Sequence, residues 1–268
     1  IKYKNDIEAN NISLTQIAIT NTQLQMAIKR LKNNKACGED GIYAEMIKNI
    51  SAPSIIEYIR CLMQDIWNSG EVPDSMCTSK LIALVKNTKK SLADPNNYRP
   101  ISLISIFAKL FEIIILIVFP VLASSSELQH GYKYGSSTSH AASTVYHTIE
   151  HYKRKKQKIY ACTLDAVKAF DLVSWYGLFY KLMSILPPTI WYTLYKYYLG
   201  SSFSVVHNNK VSERANITSG VKQGGILSPH LFTLYINDLL EEDKNCPFGT
   251  SIGPTYTGAI VYADDILL

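Results

Sequence analysis

Two apolar segments that each end at aspartate restrict the fold of this chain more than any other feature. Residues Ile159 to Leu164 form a continuous run typical of a central strand, and Asp165 follows it. Apolar residues also flank Asp264-Asp265 on both sides, which predicts a half-buried hairpin with this pair in or at its tip. Adjacent like charges are costly there, so a cation should offset them.

Three carboxylates that converge from two strands would form a hard, oxygen-rich site suited to Mg²⁺. Two such ions about 3.5–4 Å apart can clamp the attacking and leaving oxygens of an in-line phosphoryl transfer. The alternative for each aspartate is a turn or cap residue. These residues by themselves leave both interpretations open.

The order of helical and strand patterns favours an α+β fold with a sizeable core. The chain has 268 residues, of which 47% are hydrophobic, and this composition excludes disorder. Helices and strands mix without a strict βαβ alternation. Helical spacing predicts a helix that runs toward Asn33 from a capping box at Thr22 and Gln25, and further helices over 54–67, 139–152 and 175–198.

Three further segments carry local signals of strands or a helix end. Leu81 to Val85 is predicted to be a buried strand, and Phe203 to His207 with Lys210-Val211 a hairpin around Asn208-Asn209. Ser228 before Pro229 predicts the start of a helix. Its predicted apolar side consists of Phe232, Tyr235, Ile236 and Leu239.

Composition excludes several classes of protein. The five cysteines are scattered without a Cys-x-x-Cys pair, so neither a zinc cluster nor a disulfide framework is expected. The most apolar stretch, 101–122, contains Lys109, Glu112 and Pro120, and it favours a buried helix over a membrane span. No secretory signal is recognised at Ile1, so we expect a nuclear or cytoplasmic protein that is not secreted and is a fragment. The formal charge of +5 suits a polyanionic partner without requiring one.

Six segments, in order along the chain, resemble the reverse transcriptase domain of non-LTR (LINE-type) retrotransposons. Two resemble the boxes that supply the metal-binding aspartates, one the template- and nucleotide-contacting loop and helix, two the fingers motifs, and one the loop that distinguishes this class from retroviral enzymes. The two aspartate boxes are Leu164–Asp171 and Tyr262–Asp265, and the loop and helix are Gly220–Pro229. The two fingers motifs are Asn97–Leu103 and Gln129–Thr138, and the distinguishing loop is Lys35–Gly41.

The resemblance implies a right-hand polymerase fold with fingers and a partial palm. Residues 1–78 would form an N-terminal helical extension that carries the Lys35–Gly41 loop, residues 79–160 the fingers, and residues 161–268 an incomplete palm. By the same resemblance we expect this stretch to stop before the thumb, and the thumb and an endonuclease domain are expected in the full-length parent.

The implied reaction is addition of dNTPs to the 3′-hydroxyl of a DNA primer, directed by an RNA template, with no membrane partner. Asp165 and Asp264 would ligate two Mg²⁺ ions, for which Mn²⁺ could substitute, and Asp265 would assist. Catalysis would rest on positioning and charge neutralisation without a covalent intermediate.

The remaining implied roles concern the nucleotide. Lys86 and Arg99 would hold its triphosphate, because phosphate suits an ammonium charge or a guanidinium fork. Phe170 would lie beneath the sugar and exclude a 2′-hydroxyl. Gln223 would pack on the nucleotide and template, while Gly224 and its neighbour Gly225 would let the backbone approach the nucleic acid.

Two departures from the family pattern keep alternatives open. Lys133 and Ser136 stand where the family usually has arginines, and Ile113 to Phe119 replaces a more polar, basic helix. A degenerate, non-catalytic nucleic-acid-binding remnant is therefore one alternative. A metal-dependent phosphodiesterase with the same carboxylates is another, although the chain lacks a His-rich or further acidic cluster. The basic segment Lys153 to Lys158 could track phosphates or be a solvated turn.

Overall fold

The structure is a computed structural model that describes residues 4–5, 16–207, 210–244 and 249–268. Backbone packing divides the chain into two compact units, each built from two separate stretches. The first unit contains Ile1–Pro120 and Ser174–Ser228, and the second contains Val121–Val173 and Pro229–Leu268. Helices and strands mix in both units, so the predicted mixture of helices and strands is confirmed.

The helices carry most of the chain between the motifs. In chain order they are α1 Asn21–Arg30, α2 Ala44–Lys48, α3 Pro53–Ser69, α4 Asp74–Cys77, α5 Ile106–Val118, α6 Thr138–Arg154, α7 Trp175–Leu182, α8 Pro188–Leu199 and α9 Ser228–Lys244. Short 3₁₀ turns occur at Pro95–Asn97 and Pro120–Ala123.

The strands within the described ranges form three sheets. They are β1 Thr78–Val85, β2 Tyr98–Ile104, β3 Thr163–Asp165, β4 Ser202–His207, β5 Lys210–Val211, β6 Ala215–Asn216, β7 Ser251–Ile252, β8 Thr255–Tyr256, β9 Ile260–Tyr262 and β10 Asp265–Leu267. The first unit holds the sheet β2-β1-β4-β5, with β6 beside β4. The second holds β3-β10-β9 and the separate pair β7-β8.

The most apolar helix, α5, lies in the core of the first unit. Ser105 caps it, since its hydroxyl accepts a hydrogen bond from the backbone N–H of Ala108 at 3.0 Å. Phe111 and Ile114 are fully buried, and so is Trp67 of α3, whose ring lies 6.1 Å from that of Phe119. The prediction of a buried helix is confirmed, and among the described residues no helix is long and apolar enough to cross a membrane.

The predicted start of α1 was wrong by two residues. Thr20, in an extended conformation, is the cap, and it exchanges hydrogen bonds with Gln23 in a reciprocal capping box. Thr22 lies inside the helix, which ends at Arg30 before the predicted Asn33. The other helices match their predicted positions, except that 175–198 contains two helices, α7 and α8.

The first unit's sheet corrects the predicted burial of 81–85. These residues belong to β1, but Leu84 and Val85 are exposed. The reason is register, because β4 pairs with Thr78 to Ile82, and among the described strands only β2 lies beside the end of β1. The predicted hairpin strands 203–207 and 210–211 do pair as β4 and β5, while Asn208 and Asn209 lie outside the described residues.

The second unit has its own small core, and it corrects two predictions. Leu128, Leu240, Ala259 and Val261 form this core, so α9 buries Leu240 while the predicted Leu239 is exposed. The predicted central strand 159–164 is shorter and lies at an edge. Only 163–165 form β3, which pairs with β10 alone among the described strands, and all three residues are exposed.

Candidate active site

The acidic pair lies at the tip of the β9–β10 hairpin, as the flanking apolar residues predict. Tyr262 and Asp265 pair across the two strands, so Ala263 and Asp264 form a two-residue turn. Ala263 is buried and has φ +59°, a conformation that such hairpin turns require at their first residue and usually give to glycine. The turn therefore holds an alanine in a strained backbone conformation next to Asp264.

The register of β3 and β10 places Asp165 directly opposite Asp265. Residues in this relation point to the same face of a sheet, with their Cβ atoms about 4.5–5.5 Å apart. Two like charges directly opposite each other destabilise a strand pair. Asp165 and Asp265 are exposed, and Asp264, in the turn, is half-buried.

Asp165 and Asp265 supply hard oxygen ligands but do not form a complete metal cage. Among the described residues no three His, Cys, Asp or Glu side chains are grouped so as to hold a metal ion. Mg²⁺ is commonly bound through one or two carboxylates, with water and substrate phosphates as its other ligands. The chemistry of Asp165 and Asp265 and the repulsion between them fit such an ion.

Phe170 belongs to an aromatic cluster in the same unit. Its ring stacks on that of Phe232, with centroids 4.4 Å apart and planes at 14°, and it meets Tyr132 edge-on at 6.0 Å. Partial burial raises the pKa of Tyr132, and the charge of Asp264 raises it further. This electrostatic contact links the aromatic cluster to the acidic turn.

The predicted phosphate-binding residues Lys86 and Arg99 lie in the first unit. Arg99 is opposite Leu84 in the β1–β2 pair, and Lys86 directly follows β1. Both are exposed, and the Lys86 amine donates a hydrogen bond to the backbone carbonyl of Asn96 at 3.1 Å. Two cations are thus presented to solvent at the end of this strand pair where residues 86–97 connect β1 to β2.

The glycine-rich segment 220–228 of the first unit packs tightly against β2. The Ser102 N–H donates a hydrogen bond to the carbonyl of Gln223 at 3.0 Å. Gly224 has φ +106°, and a side chain there would overlap the carbonyl oxygen of Ser102. Because Gly224 has no side chain, its backbone can approach β2 closely.

Glu112 of α5 binds the backbone near the C-terminal end of segment 220–228. No functional role was predicted for Glu112 from the sequence. Its carboxylate is buried and accepts hydrogen bonds from the N–H groups of Ile226 and Leu227 and from the Tyr197 hydroxyl. Burial raises the pKa of Glu112, although the N–H groups oppose that shift. A lone glutamate inside an extremely apolar helix was the available signal, because a buried carboxylate needs partners.

Lys222 is the buried cation of the same segment. Its amine lies 3.3 Å from the centroid of the Tyr197 ring and has no hydrogen-bond partner among the described residues. Burial lowers the pKa of Lys222 to about 8, while the charges of Cys77 and Glu112 oppose the shift. The amine is held by a cation–π contact in place of an ion pair.

Lys133 and Ser136 make contacts inside the second unit. The Lys133 amine lies 3.5 Å from the carbonyl of Ser126, and the Ser136 hydroxyl lies 3.2 Å from the His130 ring. In the basic segment, Lys153 pairs with Glu150 at 3.7 Å at the end of α6. Lys155 and Lys156 are exposed in the turn that follows.

The candidate residues thus fall into two groups that belong to different units. One unit contains the three aspartates and Phe170, and the other contains the cations and the glycine-rich segment. The first group is Asp165, Phe170, Asp264 and Asp265, and the second is Lys86, Arg99, Gln223 and Gly224.

Comparison with known proteins extends the resemblance to most of the chain. Residues 86–268 match the family described as reverse transcriptase (RNA-dependent DNA polymerase). The RNA-directed DNA polymerase from mobile element jockey of Drosophila funebris is 28% identical over 255 residues, which cover 92% of this chain and 27% of that protein. The probable RNA-directed DNA polymerase from transposon X-element of Drosophila melanogaster is 29% identical over 243 residues, which cover 89% and 26%.

A third relative is the retrovirus-related Pol polyprotein from type-1 retrotransposable element R2 of Popillia japonica. It is 28% identical over 257 residues, which cover 93% of this chain and 34% of that protein. The chain therefore spans about a quarter to a third of the length of these relatives. Since the family match covers more than half of the chain, the chain belongs to the reverse transcriptase (RNA-dependent DNA polymerase) family, in the class of non-LTR, LINE-type retrotransposons.

Proposed function

We propose that this chain is the fingers and part of the palm of an RNA-directed DNA polymerase encoded by a retrotransposon. Residues 1–78 are the N-terminal extension, 79–160 the fingers and 161–268 the palm. The thumb and an endonuclease domain belong to the longer parent polypeptide, in keeping with relatives about three to four times as long. The substrates are dNTPs, a DNA primer and an RNA template.

The pairing of Asp165 with Asp265 beside the Asp264 turn is the observation that carries this proposal. The paired carboxylates of Asp165 and Asp265, with Asp264 in the adjoining turn, would hold two divalent ions, Mg²⁺ or Mn²⁺, with water and substrate phosphates as the remaining ligands. The ions would neutralise the phosphates and activate the primer hydroxyl. Asp165 and Asp264 contribute oxygens to both ions, and Asp265 assists. The repulsion between Asp165 and Asp265 favours cation binding over the empty state.

The other proposed roles concern nucleotide binding. Lys86 and Arg99 bind the triphosphate, and both are exposed, so desolvation costs little. The hydrogen bond of Lys86 to a backbone carbonyl is one that a phosphate can replace. Gln223 packs on nucleotide and template, and Gly224 supports that role by fixing the backbone of Gln223 against Ser102.

Sugar selection is proposed for Phe170. Its stack with Phe232 keeps the ring in one orientation, which a steric block of the 2′-hydroxyl requires. In the full parent polypeptide, Phe170→Val should raise the ratio of ribonucleotide to deoxynucleotide addition by about tenfold, the value of roughly 1.4 kcal/mol of lost discrimination. Phe203→Val, at a half-buried position of β4 in the other unit, is the control and should leave the ratio unchanged. An unchanged ratio with full activity would assign Phe170 to packing alone.

A degenerate nucleic-acid-binding remnant is the second candidate function. It is favoured by Lys133 and Ser136, which stand at the positions of family arginines and make internal contacts. Such a protein would bind an RNA–DNA hybrid through its basic residues, with an affinity that falls steeply with salt, and would add no nucleotide.

Primer extension on poly(rA)–oligo(dT) with dTTP and Mg²⁺ distinguishes these functions. We expect the 268-residue chain to bind the hybrid weakly and to make only short products, because its net charge is small and a thumb is needed to enclose the duplex. Asp165→Asn and Asp264→Asn should each abolish addition. Glu127→Gln removes an exposed carboxylate of the same unit and should leave addition unchanged.

Each other outcome has a separate meaning. Hybrid binding without addition, in both this chain and the longer parent, would establish the remnant. Template-independent cleavage that requires Asp264 would indicate a phosphodiesterase. Sustained synthesis by the chain alone would disprove the need for a thumb and confirm the chemistry.

A further inference from the structure

A buried glutamine contacts the backbone of the acidic turn. Gln129 has no exposed surface, and its side-chain oxygen accepts hydrogen bonds from the N–H of Ala263 at 2.9 Å and of Gly131 at 2.7 Å. Its side-chain nitrogen donates to the carbonyl of Ala263 at 3.1 Å. The amide thus satisfies both backbone polar groups of Ala263 at once, which an amide can do because it is both donor and acceptor.

The chain around Gln129 runs beside β9 and brings the amide to the turn. The His130 N–H donates to the carbonyl of Val261 at 2.8 Å, and the Val261 N–H donates to the carbonyl of Leu128 at 2.9 Å. Gly131 is so close that a side chain there would overlap the backbone nitrogen of Ala263. Residues 128–131 are therefore built against the turn, and the contact of Gln129 is not an isolated one.

The strained residue of the turn explains why such a contact is needed. A non-glycine residue in the left-handed region costs about 1–3 kcal/mol and persists only where its surroundings enforce it. Ala263 has φ +59°, and the two hydrogen bonds from Gln129 enforce it. The carbonyl of Ala263 belongs to the peptide group that leads into Asp264, so fixing this group fixes the start of the Asp264 side chain.

We infer that Gln129 is a positioning residue that orients the carboxylates of Asp264 and Asp265 for metal binding. The inference rests on the proposed function, because it assumes that these carboxylates hold the metal ions. Gln129 touches the backbone of the turn and no reacting atom. Groups that orient metal ligands in this way typically change metal affinity or activity by about 10–100-fold when they are replaced.

Mn²⁺ binding to the full chain, followed by its electron paramagnetic resonance signal, tests the inference without requiring activity. Gln129→Met preserves length and neutrality but removes all three hydrogen bonds, and it should weaken Mn²⁺ binding by at least about tenfold. Single-nucleotide addition should lose rate with little change in the KM for dTTP. A merely destabilised protein would lose folded fraction but keep its Kd.

A matched control exists in the other unit. Gln64 also contacts backbone with its side chain, since it accepts from the Ile19 N–H at 2.7 Å and donates to the Ile17 carbonyl at 3.0 Å. Gln64→Met should leave the Kd for Mn²⁺ unchanged. An equal loss of affinity in both variants would overturn the inference, because it would show that the loss does not depend on the contact with the acidic turn.

Two further outcomes separate this inference from the proposed function. If the wild type shows Mn²⁺ binding that depends on Asp264, but Gln129→Met retains it, the positioning role alone is wrong. If the wild type shows no such binding, both fail. Should Gln129→Met not fold, hydrogen exchange of the Ala263 amide in the wild type decides the question, since slow exchange supports the contact and fast exchange overturns it.

Discussion

The glycine-rich segment 220–228 and the acidic turn 262–265 are each held by one buried side chain, and the two side chains differ in chemical character. A carboxylate, Glu112, accepts hydrogen bonds from Ile226 and Leu227 in the first case. A neutral amide, Gln129, holds both polar groups of Ala263 in the second.

The difference determines how each segment responds to its surroundings. A buried carboxylate must be desolvated and is coupled to the charge of Lys222, so the stability of the glycine-rich segment should depend on pH and on that lysine. An amide carries no charge, so its hold on the acidic turn should not titrate. A neutral group also avoids adding charge beside Asp264 and Asp265.

The two segments also differ in how they reach positive φ. Gly224 reaches φ +106° without strain. The close contact with Ser102 is possible because Gly224 has no side chain. Ala263 reaches φ +59° with strain that Gln129 offsets. One segment relies on residue type and the other on an external contact.

The largest effect is expected from Gly224→Ala. It combines a disfavoured backbone conformation with overlap of the Ser102 carbonyl oxygen, so we expect a loss of about 4 kcal/mol or more in the free energy of unfolding. Urea denaturation measures this loss. Gly41→Ala is the matched control, because Gly41 has φ +68° and open space around it, and it should lose only about 1–2 kcal/mol. Equal losses would show that the contact with Ser102 adds nothing.

Glu112→Ala should cost about 3–5 kcal/mol, because it leaves two backbone N–H groups and a tyrosine hydroxyl without their acceptor and leaves Lys222 without a neighbouring anion. Glu112→Gln keeps one oxygen and the packing, so about 1 kcal/mol is expected. The ratio of these two losses is read from thermal or urea unfolding. A loss for the glutamine variant as large as that for alanine would mean that charge dominates.

Lys222→Met tests the pH dependence of the glycine-rich segment. The pKa of Lys222 is lowered to about 8 in the folded protein, so its contribution to stability is complete above its ordinary pKa and is lost as the pH falls through 8. At pH 7 the methionine variant should therefore be more stable than the wild type by about 1–3 kcal/mol. The advantage should disappear by about pH 10.5.

Urea unfolding of the variant and the wild type at several pH values gives this difference. Lys32→Met, at an exposed position, is the control and should show no comparable trend. A destabilised Lys222→Met at pH 7 would show that the contact with the Tyr197 ring outweighs the cost of burying the amine. That result would make the two segments more alike than proposed.

Local patterns predicted what depends on neighbours in sequence. The acidic tip, the buried helix α5 and the strands of the β4–β5 hairpin were all correct, because flanking apolar residues and turn residues determine them. The errors at Leu84 and Leu239 concern which residues another element covers. That covering depends on strand register or helix packing between distant parts of the chain.

The candidate site shows the same limit. The two apolar segments that end at aspartate indicated converging carboxylates, but only the register of β3 and β10 identifies Asp265 as the residue opposite Asp165. Glu112 could have been identified as the lone carboxylate in an apolar helix. Gln129 was singled out only as the first residue of a segment that resembles a fingers motif, because its contact with Ala263 spans 134 positions and no local pattern indicates it.

The smallest effect is expected from Ala263→Gly. This substitution distinguishes the contribution of the Ala263 side chain from that of the backbone of the turn. Relief of the left-handed strain is worth about 1–2 kcal/mol. Loss of a buried methyl group costs about 0.8 kcal/mol, and the greater freedom of the unfolded glycine chain costs about 0.4–1 kcal/mol. These contributions nearly cancel, so the free energy of unfolding should change by less than about 1 kcal/mol.

The affinity of this variant for Mn²⁺ should stay within about twofold of the wild type, because Gln129 bonds to backbone groups that glycine retains. Metal titration of Ala263→Gly and Gln129→Met side by side checks this expectation. If glycine weakened binding as much as the loss of the amide does, the stiffness of Ala263 itself would be what orients Asp264. The acidic turn would then depend on residue type, as the glycine-rich segment does, and the contrast between the two segments would be lost.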